Sequence, residues 1–192
     1  MPTPPGHRAA LLESAIRLFR KQGYAATGLN EILKESGAPK GSLYHYFPHG
    51  KAQIGVMAVR AAGKKVAETL ETLAIEADGP GSLLIRYCGA LAGWMRQSDF
   101  HDGCPITTTL LETVPADDAI REAGETAFAA WAAIIAAKAE SVGIPAHRAG
   151  PLSRLAVAAI EGALIQCRLA RSEEPLRETA EELARMLDAA AG

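Results

Sequence analysis

Long apolar runs are missing from this chain. Nowhere do about 18 uncharged apolar residues follow one another, and the richest stretch, Phe128 to Ala137, is too short to cross a bilayer. No membrane partner is expected. The opening Met1-Pro-Thr-Pro-Pro-Gly has no charged segment followed by an apolar one, so no secretory leader is expected, and residues 1–6 read as disordered. Cysteine is sparse: Cys88, Cys104 and Cys167 lie far apart with no CxxC pair. That usage fits a reduced, cytoplasmic protein. A glycine-rich phosphate loop, a protease signature and a paired metal-ligand spacing are all lacking, so no catalytic residue, metal or cofactor is expected.

What is present points to helices. Apolar residues make up 48% of the 192, with Ala and Leu dominant. The net charge of −2 hides an asymmetry. Residues 1–51 carry seven Lys/Arg against three acids, +4; residues 52–192 carry thirteen against nineteen, −6. A basic head on an acidic body suggests a polyanion bound at the head.

Periodicity and breakers predict an all-α chain of about nine helices. A first helix over His7–Gln22 has Leu11, Leu12, Ala15, Ile16, Leu18 and Phe19 at helical spacing and ends at Gly23. A second turns Leu29, Ile32 and Leu33 inward, with Thr27 or Gly28 as N-cap, and stops at Gly37. A third, about two turns long, has Pro39 in its first turn and ends before Pro48. A fourth runs from Gly50-Lys51 to near Ala77, and Asp78-Gly79-Pro80-Gly81 is a break. Further helices are expected over about 82–97, 104–113, 117–142, 147–171 and 174–190. The domains are read as 7–51 and 52–192.

Two short helices joined by a Gly37 turn and packed on a longer first helix make a helix-turn-helix. A helix entering the major groove needs small leading residues, and Gly41 and Ser42 are small. Lys40 and the phenol of Tyr44 can reach phosphate, Ser42 a base edge, and His45 offers another donor. Leu43 and Phe47 are expected inside, and Tyr46 is expected to pack on the core. Lys51, at the start of the fourth helix, pairs a charge with free backbone N–H groups that favour phosphate.

The segment Gly23-Tyr24-Ala-Ala-Thr27-Gly-Leu29-Asn-Glu31-Ile32, followed by Gly37-Ala-Pro-Lys40-Gly41-Ser42-Leu43-Tyr44-His45-Tyr46-Phe47 and Lys51, resembles the DNA-binding signature of the TetR family. The resemblance runs through residues 8–55. Tyr46-Phe47-Pro48-His49-Gly50-Lys51 and Gly103-Cys104-Pro105-Ile106 are similar to the LmrA/YxaF-like branch. One departure is Gly28, where the family commonly has Ser or Thr; glycine as N-cap costs only a few tenths of a kcal/mol, about, and Thr27 is placed to compensate. The resemblance implies a three-helix DNA-binding head and a six-helix body for ligand binding and dimerisation. It implies a repressor that grips a palindromic operator as a homodimer and is released by a small molecule. The implied DNA contacts are Thr27, Gly28, Lys40, Gly41, Ser42, Tyr44, His45 and Lys51.

In the body, the resemblance implies a cavity among helices four to seven and a dimer interface on the last two. The eighth helix offers Leu155, Ala158, Ala159, Gly162, Ala163, Ile165 and Leu169; the ninth offers Leu176, Ala180, Leu183, Leu187 and Ala190. The expected effector contacts are Tyr87, Leu91, Trp94, Ile106, Leu110, Phe128 and Trp131, which suit an apolar or aromatic molecule. The sequence leaves three other readings open: thiol catalysis or redox sensing at His101-Asp102-Gly103-Cys104, a metal held by His101, Cys104 and His147, and a helical interaction module that never touches DNA.

Overall fold

The computed structural model describes residues 6–191. The Pro-rich start at 1–5 lies outside the described residues. Among the described residues there are nine helices and no strand: α1 (His7–Gln22), α2 (Leu29–Ser36), α3 (Lys40–Tyr46), α4 (Gly50–Glu76), α5 (Pro80–Gln97), α6 (Pro105–Thr113), α7 (Asp118–Ser141), α8 (Ala146–Ala170) and α9 (Glu174–Ala191). None is long and apolar enough to cross a membrane.

The helices end where local chemistry stops them. Gly23 closes α1 at φ 91° and ψ 165°, a region essentially reserved for glycine, and its N–H donates to the Phe19 carbonyl at 3.0 Å. Gly37 closes α2 in the left-handed conformation. Asp117 caps α7 with its own side chain, accepting the Ile120 N–H at 2.9 Å. Two expected boundaries shift. Pro39 stands just outside α3 as its N-cap. The break before α5 is shorter than Asp78–Gly81, because Gly79 is the N-cap and Pro80 already the first helical residue. Proline fits there, since its missing N–H would lack a helical partner anyway.

The chain forms two compact units, which do not follow the 7–51 and 52–192 division. The first takes the chain up to Gly63 together with Cys104–Glu125; the second takes Lys64–Gly103 and Thr126–Gly192. The first unit therefore holds α1 to α3, the start of α4, all of α6 and the first turns of α7. Its core is Leu11, Ala15, Phe19, Ile32, Leu43, Phe47 and Ile54, each fully buried. Burying one such large side chain contributes about 1.5–3 kcal/mol. Six of these come from four helices and Phe47 caps the end of α3, so the pose of α3 depends on α1 and α4 as well as on α2.

In the second unit α9 lies along α5 and α8. Leu176, Ala180, Leu183, Ala184 and Leu187 form its buried face. The approach to α5 is close: a Cβ on Gly81 would stand 3.0 Å from the Ala184 Cβ. The ninth-helix stripe expected at a dimer interface is thus mostly covered inside the chain. The reason is that α5 presents its own apolar face, Leu83, Leu84, Tyr87, Cys88 and Leu91. Helix α8 buries Ala149, Ser153, Ala156, Ile160, Ala163, Leu164 and Cys167. Its other side leaves Leu155 (48%), Ile165 (51%) and Leu169 (81%) exposed.

Candidate nucleic-acid interface

The turn at Gly37 and Ala38 sets α3 against α1, anchored by Leu43 and Phe47 in the shared core. Anchoring fixes which residues point out. Lys40, Gly41, Tyr44 and His45 are exposed, Tyr44 by 60%, and Ser42 is partly so. Tyr46 packs on the core, and its ring meets His45 edge-on at 4.8 Å. A Cβ added at Gly41 would meet nothing within 4 Å. The protein's own packing therefore does not require glycine there. The surface is small at that point and carries an ammonium, a phenol, an imidazole and a hydroxyl around it.

Gly28 is exposed, and its carbonyl accepts the N–H groups of Glu31 and Ile32 at 3.1 Å each. No side chain caps α2. Thr27 does not compensate, and it is not placed to meet phosphate. It is fully buried, its hydroxyl donates to the Gly23 carbonyl at 2.7 Å, and its N–H donates to the Tyr24 carbonyl. A threonine beside a helix start looks the same in sequence whether its hydroxyl caps forward or bonds backward; here it bonds backward and closes the turn.

Lys51 does not project freely either. Its ammonium donates to the Ala25 carbonyl at 3.2 Å and sits 4.4 Å over the Tyr24 ring. Burial pulls its pKa down, with the charge of Glu112 acting in the opposite direction. Burial, together with the charge of Asp117, pushes the Tyr24 phenol up. Near it, the side chain of Gln53 reaches back to accept the His49 N–H at 3.1 Å, just ahead of α4.

The expected effector contacts fall in both units. Ile106 and Leu110 belong to the first; Ile106 is buried, and Leu110 lies against Gly124. Tyr87, Leu91, Trp94, Phe128 and Trp131 belong to the second. Tyr87 and Trp131 line one cleft with Leu70, Ile135, Val157, Ile160 and Glu161. Its volume is about 10 Å³, room for one water molecule. The Phe128 ring meets Trp131 at 5.0 Å between centroids. Leu91 is buried, whereas Trp94 is 43% exposed.

Cys104 is the half-buried N-cap of α6, and Cys88 and Cys167 are buried. Burial pushes the Cys88 thiol up to about 12 and raises Cys167 as well. Among the described residues no group of three or more metal-binding side chains comes together.

A basic-headed helix-turn-helix with a polar, sterically open third helix defines a DNA-binding regulator. Residues 11–54 match the bacterial regulatory proteins of the tetR family, and residues 80–182 match the C-terminal domain of the LmrA/YxaF-like transcriptional regulators. The HTH-type transcriptional regulator YxaF of Bacillus subtilis is 34% identical, the match covering 92% of each chain. LmrA of the same organism is 35% identical over 88% of this chain and 90% of its own. A TetR regulatory protein from Rhodobacter sphaeroides shares the fold, with a TM-score of 0.83 at 24% identity over 93% of this chain and 97% of that one. The chain belongs to the TetR family of transcriptional regulators, in its LmrA/YxaF-like branch.

Proposed function

We propose that this chain is a repressor that acts in the cytoplasm, binds a palindromic operator as a homodimer and is released by a small apolar or aromatic effector. The observation that carries the reading is the outward face of α3. Lys40, Tyr44 and His45 surround Gly41, a position left open for no reason internal to the fold. Lys40 and Tyr44 hold phosphate; Ser42 and His45 meet base edges. Gly28, at the start of α2, brings exposed backbone near the phosphates.

The homodimer is supported by α8. Leu155, Ala158, Gly162, Ile165 and Leu169 follow a three- and four-residue spacing along one side and are exposed or partly so. A second copy of the same surface covers them in a two-fold contact. Two heads then read two half-sites, which a single seven-residue helix cannot do with useful specificity.

The effector enters between the helices that carry Tyr87 and Trp131. Drug-sized ligands occupy about 300–1,000 Å³, so the cleft must widen to admit one. The ligand therefore selects a widened body, and its grip on the operator equilibrium equals its preference for that state.

The test is a mobility shift on DNA from immediately upstream of this protein's own gene, repeated across a salt series. A discrete shift that weakens steeply with salt supports the reading. Absence of any shift, there and across sheared genomic DNA, refutes it.

A further inference from the structure

The turn between α1 and α2 is gripped from a distance. The carboxylate of Glu112, near the end of α6, accepts the Ala25 N–H at 2.6 Å. The other oxygen of that carboxylate stands where a side chain on Gly23 would go: a Cβ there would lie 2.5 Å from it. On the same turn, Lys51 of α4 holds the Ala25 carbonyl, so Ala25 is clasped at both of its peptide groups. Gln22 reaches across to the Ala26 carbonyl at 3.3 Å and to Glu31 of α2 at 2.8 Å. The Tyr24 ring lies beneath Lys51 and against Gly55 of α4, where an added Cβ would stand 2.9 Å from the ring. The close approach of Tyr24 leaves no room for a side chain at position 55.

These contacts tie α1, α2, α4 and α6 together at one turn. The backbone from Gly23 to Thr27 leads directly into α2, and α2 with α1 seats α3 through Ile32, Leu43 and Phe47. A shift of that turn is carried into the angle of the reading helix. The only carboxylate bonded to the backbone of this turn comes, among the described residues, from α6. Its position is 87 residues further along the chain. Helix α6 belongs by its packing to the unit that contains the head.

We infer that Glu112 is a positioning residue for DNA binding: through its grip on Ala25, α6 sets the pose of the helix-turn-helix without touching DNA. The charge on Glu112 also attracts Lys51, so the carboxylate and the ammonium brace the same residue through its two flanking peptide groups.

The experiment compares Glu112→Ala, Glu112→Gln and the parent protein on a duplex from upstream of its own gene, by fluorescence anisotropy over a salt series. Glu112→Ala is expected to weaken binding about five- to tenfold, the scale of one lost hydrogen bond. Glu112→Gln keeps an acceptor oxygen and is expected to recover most of that loss. Neither changes the salt slope, because no phosphate contact is removed; a phosphate-binding lysine would change it. Amide hydrogen exchange at Ala25 provides a reading independent of DNA. Protection there should fall in Glu112→Ala and largely return in Glu112→Gln, even if the chosen duplex is not an operator. A melting temperature lowered by Glu112→Ala with operator affinity intact at 25 °C would mean a purely structural role and overturn the inference. If the alanine variant does not fold, Glu112→Met, close to glutamate in size but without the acceptor oxygen, is read in its place, and full operator affinity with unchanged Ala25 exchange in it would overturn the inference equally.

Discussion

Helices α3 and α8 each turn a face to solvent, and the two faces are opposites. On α3 the exposed residues are polar or small, and the apolar ones, Leu43 and Phe47, are buried. On α8 the inner side is fully packed and yet Leu155, Ile165 and Leu169 stand outside. Water solvates the first face without penalty. The second leaves apolar area exposed that a partner surface would remove from water, at about 25 cal/mol per Å². Polar exposure awaits a charged partner, and apolar exposure a like one. The proposed division of labour between DNA and a second copy rests on that difference.

The largest effect should come from breaking the α8 face. Ile165→Arg puts a charge in the middle of the bare stripe and is expected to raise the dimer dissociation constant by about a hundredfold or more, as loss of a central interface anchor does. Sedimentation should show monomer, with the helical circular dichroism of the parent. A dimer that survives this change would move the interface elsewhere.

A smaller change sharpens the α3 side. In Gly41→Ala the new methyl finds open space in the protein, so the helix should gain about 0.5–1 kcal/mol of stability from the lost glycine freedom. Operator binding should nevertheless weaken, because the methyl enters the groove side. Thermal melts and anisotropy on one preparation would show the two quantities moving in opposite directions. If affinity holds, Gly41 does not face the bases.

The smallest effect concerns the covered side of α8. Cys167 lies on it and Cys88 faces it from α5; both thiols have raised pKa values, Cys88 near 12. At about 12 the Cys88 thiol stays protonated through pH 7–9, so iodoacetamide labelling should start at half-buried Cys104. Labelling of Cys88 should stay flat over that range. Fast labelling of Cys88 would show that the inner side of α8 opens readily.

Local chemistry made much of this fold readable. Gly23, Gly37 and Pro48 stop helices through their own backbone constraints, so α1 to α3 could be placed almost to the residue. The outward set on α3 followed from the same spacing that turned Leu43 and Phe47 inward. Periodicity shows that a face is apolar but not what covers it. Leu176, Leu183 and Leu187 on α9 therefore looked like an interface and proved to be packed on α5. Thr27 was misread because one hydroxyl has two local acceptors to choose from, and burial decided between them. Glu112 could not have been found. Nothing near position 112 signals a partner at Ala25, since the contact depends on where α6 packs.

In the proposed function α3 reads operator DNA with Lys40 on phosphate, once in each half of a dimer. The most direct measurement is the salt dependence of anisotropy binding curves for the parent and Lys40→Ala, on the same upstream duplex. The variant should bind more weakly, with a log–log slope shallower by about two, one phosphate for each head. Equal slopes and equal affinities would contradict it.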